Sequence, residues 1–210
     1  MKAGNLLLKI FTGAVFVFLY TPIAIMMISS FNAGRNLLNF AGFSLVWYER
    51  ALSNERIISA LFNSVLVASV VTLLAVAMAV LTAFAVERLS RKFALAYNNV
   101  LYVSIIIPEI AEALTLVLFF IWTSFPLGFY AVVIGHLVWF PIVYVVVRAR
   151  MAGMTKNVEE ASRVLGASWL RTFIHVTLPL LLPAVVSGGL LVFTWSWDSF
   201  IKTQFTRSPG

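Results

Sequence analysis

Three carboxylates and three tryptophans are the residues most able to do chemistry in this chain. Glu109 and Glu112 follow Pro108 in the stretch "PEIAE", and Asp198 closes "TWSWD" after Trp195 and Trp197. Each carboxylate lies in or beside a long apolar run, where an ionisable group is costly and usually faces the interior of a bundle or a water-filled path. Together with the ring faces of Trp139, Trp195 and Trp197, they could line a path for a cation. A second reading is equally open. Pro108 suits the first turn of a helix, and the helix dipole there would stabilise both glutamates without any ligand. The tryptophans, Trp197 above all, also suit the belt at a membrane interface.

Other chemistries find little support. His136 and His175 are separated by a whole apolar run and a polar loop, so no metal-binding set is expected and both read as ordinary, satisfied histidines. The chain has no cysteine, which removes thiolate ligands, disulfides and thiol nucleophiles. It has no G-x-x-x-x-G-K-[ST] loop, so it is not itself an ATP-hydrolysing P-loop subunit. No catalytic residue and no cofactor of the chain's own are expected.

The elements that must position these residues are membrane helices. Of the 210 residues, 61% are hydrophobic and 11% charged, against roughly 25% charged in soluble domains. The expected architecture is all-α, a polytopic helical bundle forming one membrane domain over residues 1–210. Spans of about 20 residues are expected at Leu6 to about Ser30, Leu61–Val86, Val100 to about Ser124 with the "PEIAE" interruption, Tyr130–Val147, and about Val176 to Phe200. The first run is too long for a signal peptide and reads as a retained helix. Asn32 to about Ser59 reads as a polar loop. Ala75, Ala79 and Ala83 form a small-residue ridge suited to close packing, unless they reflect plain alanine abundance.

The net charge of +7 is explained by loop basicity rather than by nucleic-acid binding. Lys2 and Lys9, then Arg88, Arg91 and Lys92, then Arg148, Arg150, Lys156, Arg163 and Arg171 sit at the amino terminus and in the second and fourth loops. The positive-inside rule places all three regions in the cytoplasm. The fourth loop holds a charged segment that reads as helix, glycine turn, helix. Asn157 can cap, Glu159 and Glu160 complement the helix start, and Val158, Ala161, Val164 and Leu165 recur at helical spacing. Gly166 is a natural stop, Ser168 can cap a second short helix, and Pro179 and Pro183 punctuate the approach to the fifth span. Such a knob could seat in a groove on a partner protein or lie on the lipid surface.

The stretch "EEASRVLGASWLRTFIHVTLPLLLP" resembles the EAA loop of permease subunits in binding-protein-dependent ABC importers. Glu160, Ala161, Gly166, Ala167, Leu178 and Pro179 match that pattern, with Ser162 in place of its second alanine. "YTPIAIMMISSFN", the Trp47–Tyr48 pair, "PEI" and "LVFTWSWDSF" are similar to the spermidine/putrescine branch of the family. The resemblance implies a type I ABC permease fold. It also implies a cytoplasmic coupling helix over residues 157–173, with Glu159, Glu160, Ala161, Gly166 and Ala167 docking on a separate ATPase subunit that binds the ATP. Further partners implied are a second permease chain, an extracytoplasmic binding protein and the lipid of the inner membrane. Polyamine is the implied cargo, its protonated amines suiting Glu109, Glu112, Trp139, Trp195 and Asp198; ferric iron, an anion or another small solute is the alternative. The family has six spans, so a sixth is expected to be missing here. An independent secondary transporter and an embedded enzyme are the remaining, less supported classes.

Overall fold

The computed structural model describes residues 2–36, 39–154 and 157–208; Lys156, counted above among the basic loop residues, lies outside them. Eleven α-helices and one π-helical segment are formed among the described residues. Residues 1–61 and 62–210 form two compact units.

The first unit holds α1 (Lys2–Ser29), α2 (Val46–Leu52) and the first residues of α3 (Glu55–Glu87). The expected polar loop is more ordered than its composition suggests, because one buried side chain organises it. Asn32 donates to the carbonyls of Asn36 and Asn39 at 3.0 and 2.8 Å and accepts from the amides of Gly34 and Ala41 at 3.1 and 2.8 Å. Its own carbonyl accepts from Trp47 Nε1 at 2.8 Å. The Trp47–Tyr48 pair thus lies on α2 rather than in a loop.

In the second unit α3 continues, followed by α4 (Arg91–Ile106), α5 (Glu109–Trp122), α6 (Phe129–Leu137) and α7 (Phe140–Ala152). Then come α8 (Asn157–Val164), α9 (Trp169–Thr172), the π segment Phe173–Thr177, α10 (Leu178–Asp198) and α11 (Phe200–Thr206). Ala75, Ala79 and Ala83 are fully buried on α3, so the ridge is a packing face rather than an accident of composition. Gly188 lets α10 approach Val143 of α7, and Gly189 lets it approach Thr72 and Val76 of α3.

Among the described residues, four helical stretches are long and apolar enough to cross a membrane: Leu6–Ser29, Glu55–Glu87, Phe129–Ala152 and Trp169–Asp198. The third expected span is not one straight helix. It is the pair α4 and α5, bent by 104°. Pro108 is the cause: its ring disfavours helical geometry at the preceding residue, and Ile107 is extended at φ −63°, ψ 132°. Counted as one broken span, the pair raises the total to five.

Asn157 is itself helical, within α8, rather than a cap. Pro179 sits in the first turn of α10, at the entry to the fifth span, and Pro183 lies inside that helix. The π segment directly before them widens the helix where Pro179, lacking an amide proton, leaves the carbonyl of His175 without its usual donor. Phe200–Thr206, beyond the expected fifth span, form α11, which packs against α5 and α6.

Candidate functional site

The bend at Pro108 aims the first turn of α5 at the junction between α10 and α11. A cavity of about 280 Å³ opens there, lined by Ser104, Ile105 and Ile107 from the end of α4 and by Glu109, Glu112, Trp139, Trp195, Asp198 and Ser199. The five residues selected as a cation path from sequence are therefore brought together around one space. Trp197 is not among them; it is exposed and stacks on Phe193 with ring centroids 6.1 Å apart.

The three carboxylates are held differently. Glu109 accepts a hydrogen bond from Ser199 Oγ at 2.7 Å. Glu112 is buried, and its Oε2 lies 2.6 Å from Lys202 Nζ, whose side chain is wholly buried on α11. The same ammonium stands 3.8 Å from the centre of the Trp139 ring. The other oxygen of Glu112 is buried with no hydrogen-bond partner. Asp198 is exposed to the cavity and makes no ion pair or side-chain hydrogen bond among the described residues. It is the last residue of α10, where the negative end of the helix dipole opposes a carboxylate and raises the gain from a nearby cation.

Behind the cavity wall, His136 is buried with both ring nitrogens satisfied. Nδ1 lies 2.8 Å from Ser196 Oγ and Nε2 3.2 Å from Thr203 Oγ1, which joins α6, α10 and α11. His136 is thus the satisfied histidine expected, and its ring also packs on Trp139 at 5.5 Å. Among the described residues no group of three or more potential ligands could hold a metal ion. Sequence reasoning missed Lys202 and Ser199. For Lys202 a signal was available: a carboxylate within an apolar run, such as Glu112, needs a counter-charge or a ligand.

The charged segment forms the expected helix, glycine turn and helix. Gly166 adopts φ +86°, a left-handed conformation that nothing nearby crowds, and Ser168 caps α9 by accepting from the amide of Arg171 at 3.3 Å. Glu159 is half-buried and accepts from Thr177 Oγ1 at 2.7 Å, while Ser162 and Thr172 meet at 3.1 Å and fasten α8 to α9. Glu160, Ala161 and Gly166 remain exposed, and Ala167 is half-buried. Val164 and Leu165 are each 88% exposed, an apolar tip with nothing covering it. From this turn a continuous helical stretch, Trp169–Asp198, runs through the π segment; at 1.5 Å per residue it is about 45 Å long. The segment and the cavity therefore share one helix.

Comparison with known proteins agrees with this architecture. Residues 73–210 match the family described as "Binding-protein-dependent transport system inner membrane component". The chain is 36% identical over 93% of its length to the spermidine/putrescine transport system permease protein PotC of Haemophilus influenzae, covering 76% of that protein. It is 32% identical over 99% of its length to PotC of Escherichia coli (79% of that protein) and 29% identical over 93% to the putrescine transport system permease protein PotI (72% of that protein). In fold it is similar to a chain of a bacterial ABC transporter involved in the import of the acidic polysaccharide alginate. The TM-score is 0.67 at 16% identity, covering 97% of this chain and 78% of the other. The chain belongs to the family of inner membrane components of binding-protein-dependent transport systems, a multi-pass permease with the type I ABC importer fold.

Proposed function

We propose that this permease conducts polyamines, spermidine or putrescine, through the cavity between α5 and the α10–α11 junction. The observation that carries the reading is the convergence of Glu109, Glu112 and Asp198 with Trp139 and Trp195 on one space. A polyamine is a string of ammonium groups on an apolar chain, so carboxylates and indole faces match both of its parts. The names of the similar permeases point to the same cargo.

In this reading the chain works with a second permease chain, two ATPase subunits that bind ATP, and an extracytoplasmic binding protein. The amino terminus and residues 157–173 face the cytoplasm, in line with their basic residues. Glu160, Ala161, Gly166, Ala167 and the apolar tip of Val164 and Leu165 seat in a cleft of the ATPase subunit, while Glu159 is turned inward to Thr177. When ATP binding closes the ATPase pair, the displaced segment pulls on the stretch Trp169–Asp198, whose far end carries Trp195 and Asp198. Ligand contacts in the cavity thereby change with the state of the ATPases.

The test is uptake of labelled putrescine and spermidine into vesicles containing the assembled transporter, with ATP supplied on the cytoplasmic side. ATP-dependent uptake of either is the expected result. Uptake without ATPase subunits would identify a secondary transporter instead, and ATP-dependent uptake of an unrelated solute alone would overturn the polyamine assignment.

A further inference from the structure

Of the three carboxylates around the cavity, one is already matched by a cation belonging to the chain. Lys202 Nζ lies 2.6 Å from Glu112 Oε2 and 3.8 Å from the Trp139 ring centre, with no exposure of its side chain. Its ammonium thus takes up one carboxylate and one indole face, the same two features that would otherwise receive an ammonium group of the cargo. What stays open to a ligand is Asp198, the Glu109 carboxylate, whose Oε1 accepts one hydrogen bond from Ser199, and the exposed part of Trp195. With the internal pair counted as neutral, the lining carries two uncompensated negative charges rather than three.

We infer that Lys202 is a specificity-determining residue that lowers the cavity's demand from three ammonium groups to two, favouring a diamine over a triamine during passage. The inference rests on the cavity being the polyamine path. Specificity is a difference between two affinities, and a built-in cation acts on it by occupying the anchor that the extra ammonium of the longer cargo would use.

The experiment measures initial uptake of labelled putrescine and of spermidine by the assembled transporter, each at saturating concentration so that capture does not limit the rate. Lys202→Met frees the Glu112 carboxylate and should raise the spermidine-to-putrescine ratio roughly tenfold, the order expected for one additional ammonium–carboxylate contact. Glu112→Gln leaves the lysine charge uncompensated and should move the ratio in the opposite direction. The double substitution Glu112→Gln with Lys202→Met restores two open carboxylates and should return the ratio toward that of wild type. This return separates charge matching from mere damage to packing. If Lys202→Met does not assemble, the Glu112→Gln ratio and the double variant still decide. A wild type that carries both amines, with ratios unchanged or shifted the same way in both single variants, refutes the inference and leaves the polyamine function standing. A wild type that carries neither amine overturns both.

Discussion

Substituting alanine for Gly188 should destabilise the permease, whereas the same change at the adjacent Gly189 should not. A Cβ at 188 would lie 3.0 Å from Val143 Cγ1, 3.2 Å from Val143 Cα and 3.5 Å from Val143 Cβ. Carbon atoms in good contact stay about 3.5–4.0 Å apart, so α7 and α10 would have to separate by roughly half an ångström. A rotamer change at Val143 relieves the first contact but not the second, which is to backbone. Overpacking of this kind costs about 1–3 kcal/mol, partly offset by about 1 kcal/mol from replacing a helical glycine with alanine. The net loss is about 1 kcal/mol, or a fall in midpoint of about 2–4 °C for a chain of this size. At Gly189 the Cβ meets only the methyl groups Val76 Cγ2 at 3.3 Å and Thr72 Cγ2 at 3.5 Å, and the gain in helix propensity offsets the small adjustment. Thermal unfolding of the purified protein in one detergent, followed by intrinsic fluorescence, compares the two directly. In a Val143→Ala background the penalty at 188 should shrink but persist, since the 3.2 Å contact remains. Equal midpoints for Gly188→Ala and wild type, or a larger loss at Gly189, would show that α7 and α10 are not held at this distance.

The other predictions concern the two ends of the same helical stretch. Asp198→Asn removes the one cavity carboxylate without a partner among the described residues, and uptake at low polyamine should fall several-fold while membrane levels of the protein stay normal; unchanged uptake removes Asp198 from the path. Gly166→Val forces a branched residue into φ +86°, at roughly 1–2 kcal/mol or more, and should weaken capture of the ATPase subunit in a pull-down. Glu160→Lys should weaken the same capture by charge alone, and equal capture by both variants and wild type argues against docking. Thr177→Val removes the hydrogen bond that holds Glu159 inward; amide exchange over residues 157–173 should quicken, with little effect on the cavity end.

The sequence made the helices and their packing faces legible because both depend on nearest neighbours along the chain. The alanine ridge on α3, the break before Pro108 and the turn at Gly166 each follow from a residue type at a given spacing. Even the five cavity residues could be chosen individually, since each is a costly or polarisable group in an apolar setting. Their meeting could not, because it depends on the size of the bend at Ile107–Pro108, and a proline signals a break without giving its angle. The π segment was hidden for a related reason: two prolines can end a helix or, with one widened turn ahead of them, stay within it. Lys202 is the instructive case. Ninety residues separate it from Glu112, so no local pattern links them. Electrostatics alone supplies the link: an anion in an apolar stretch needs a counter-charge or a ligand. Among the basic residues, Lys202 lies four positions from Asp198, itself a candidate for the same path. A rule that seeks an internal partner for each buried carboxylate before assigning it to cargo would have separated Glu112 from Asp198, which is the division the proposed selectivity depends on.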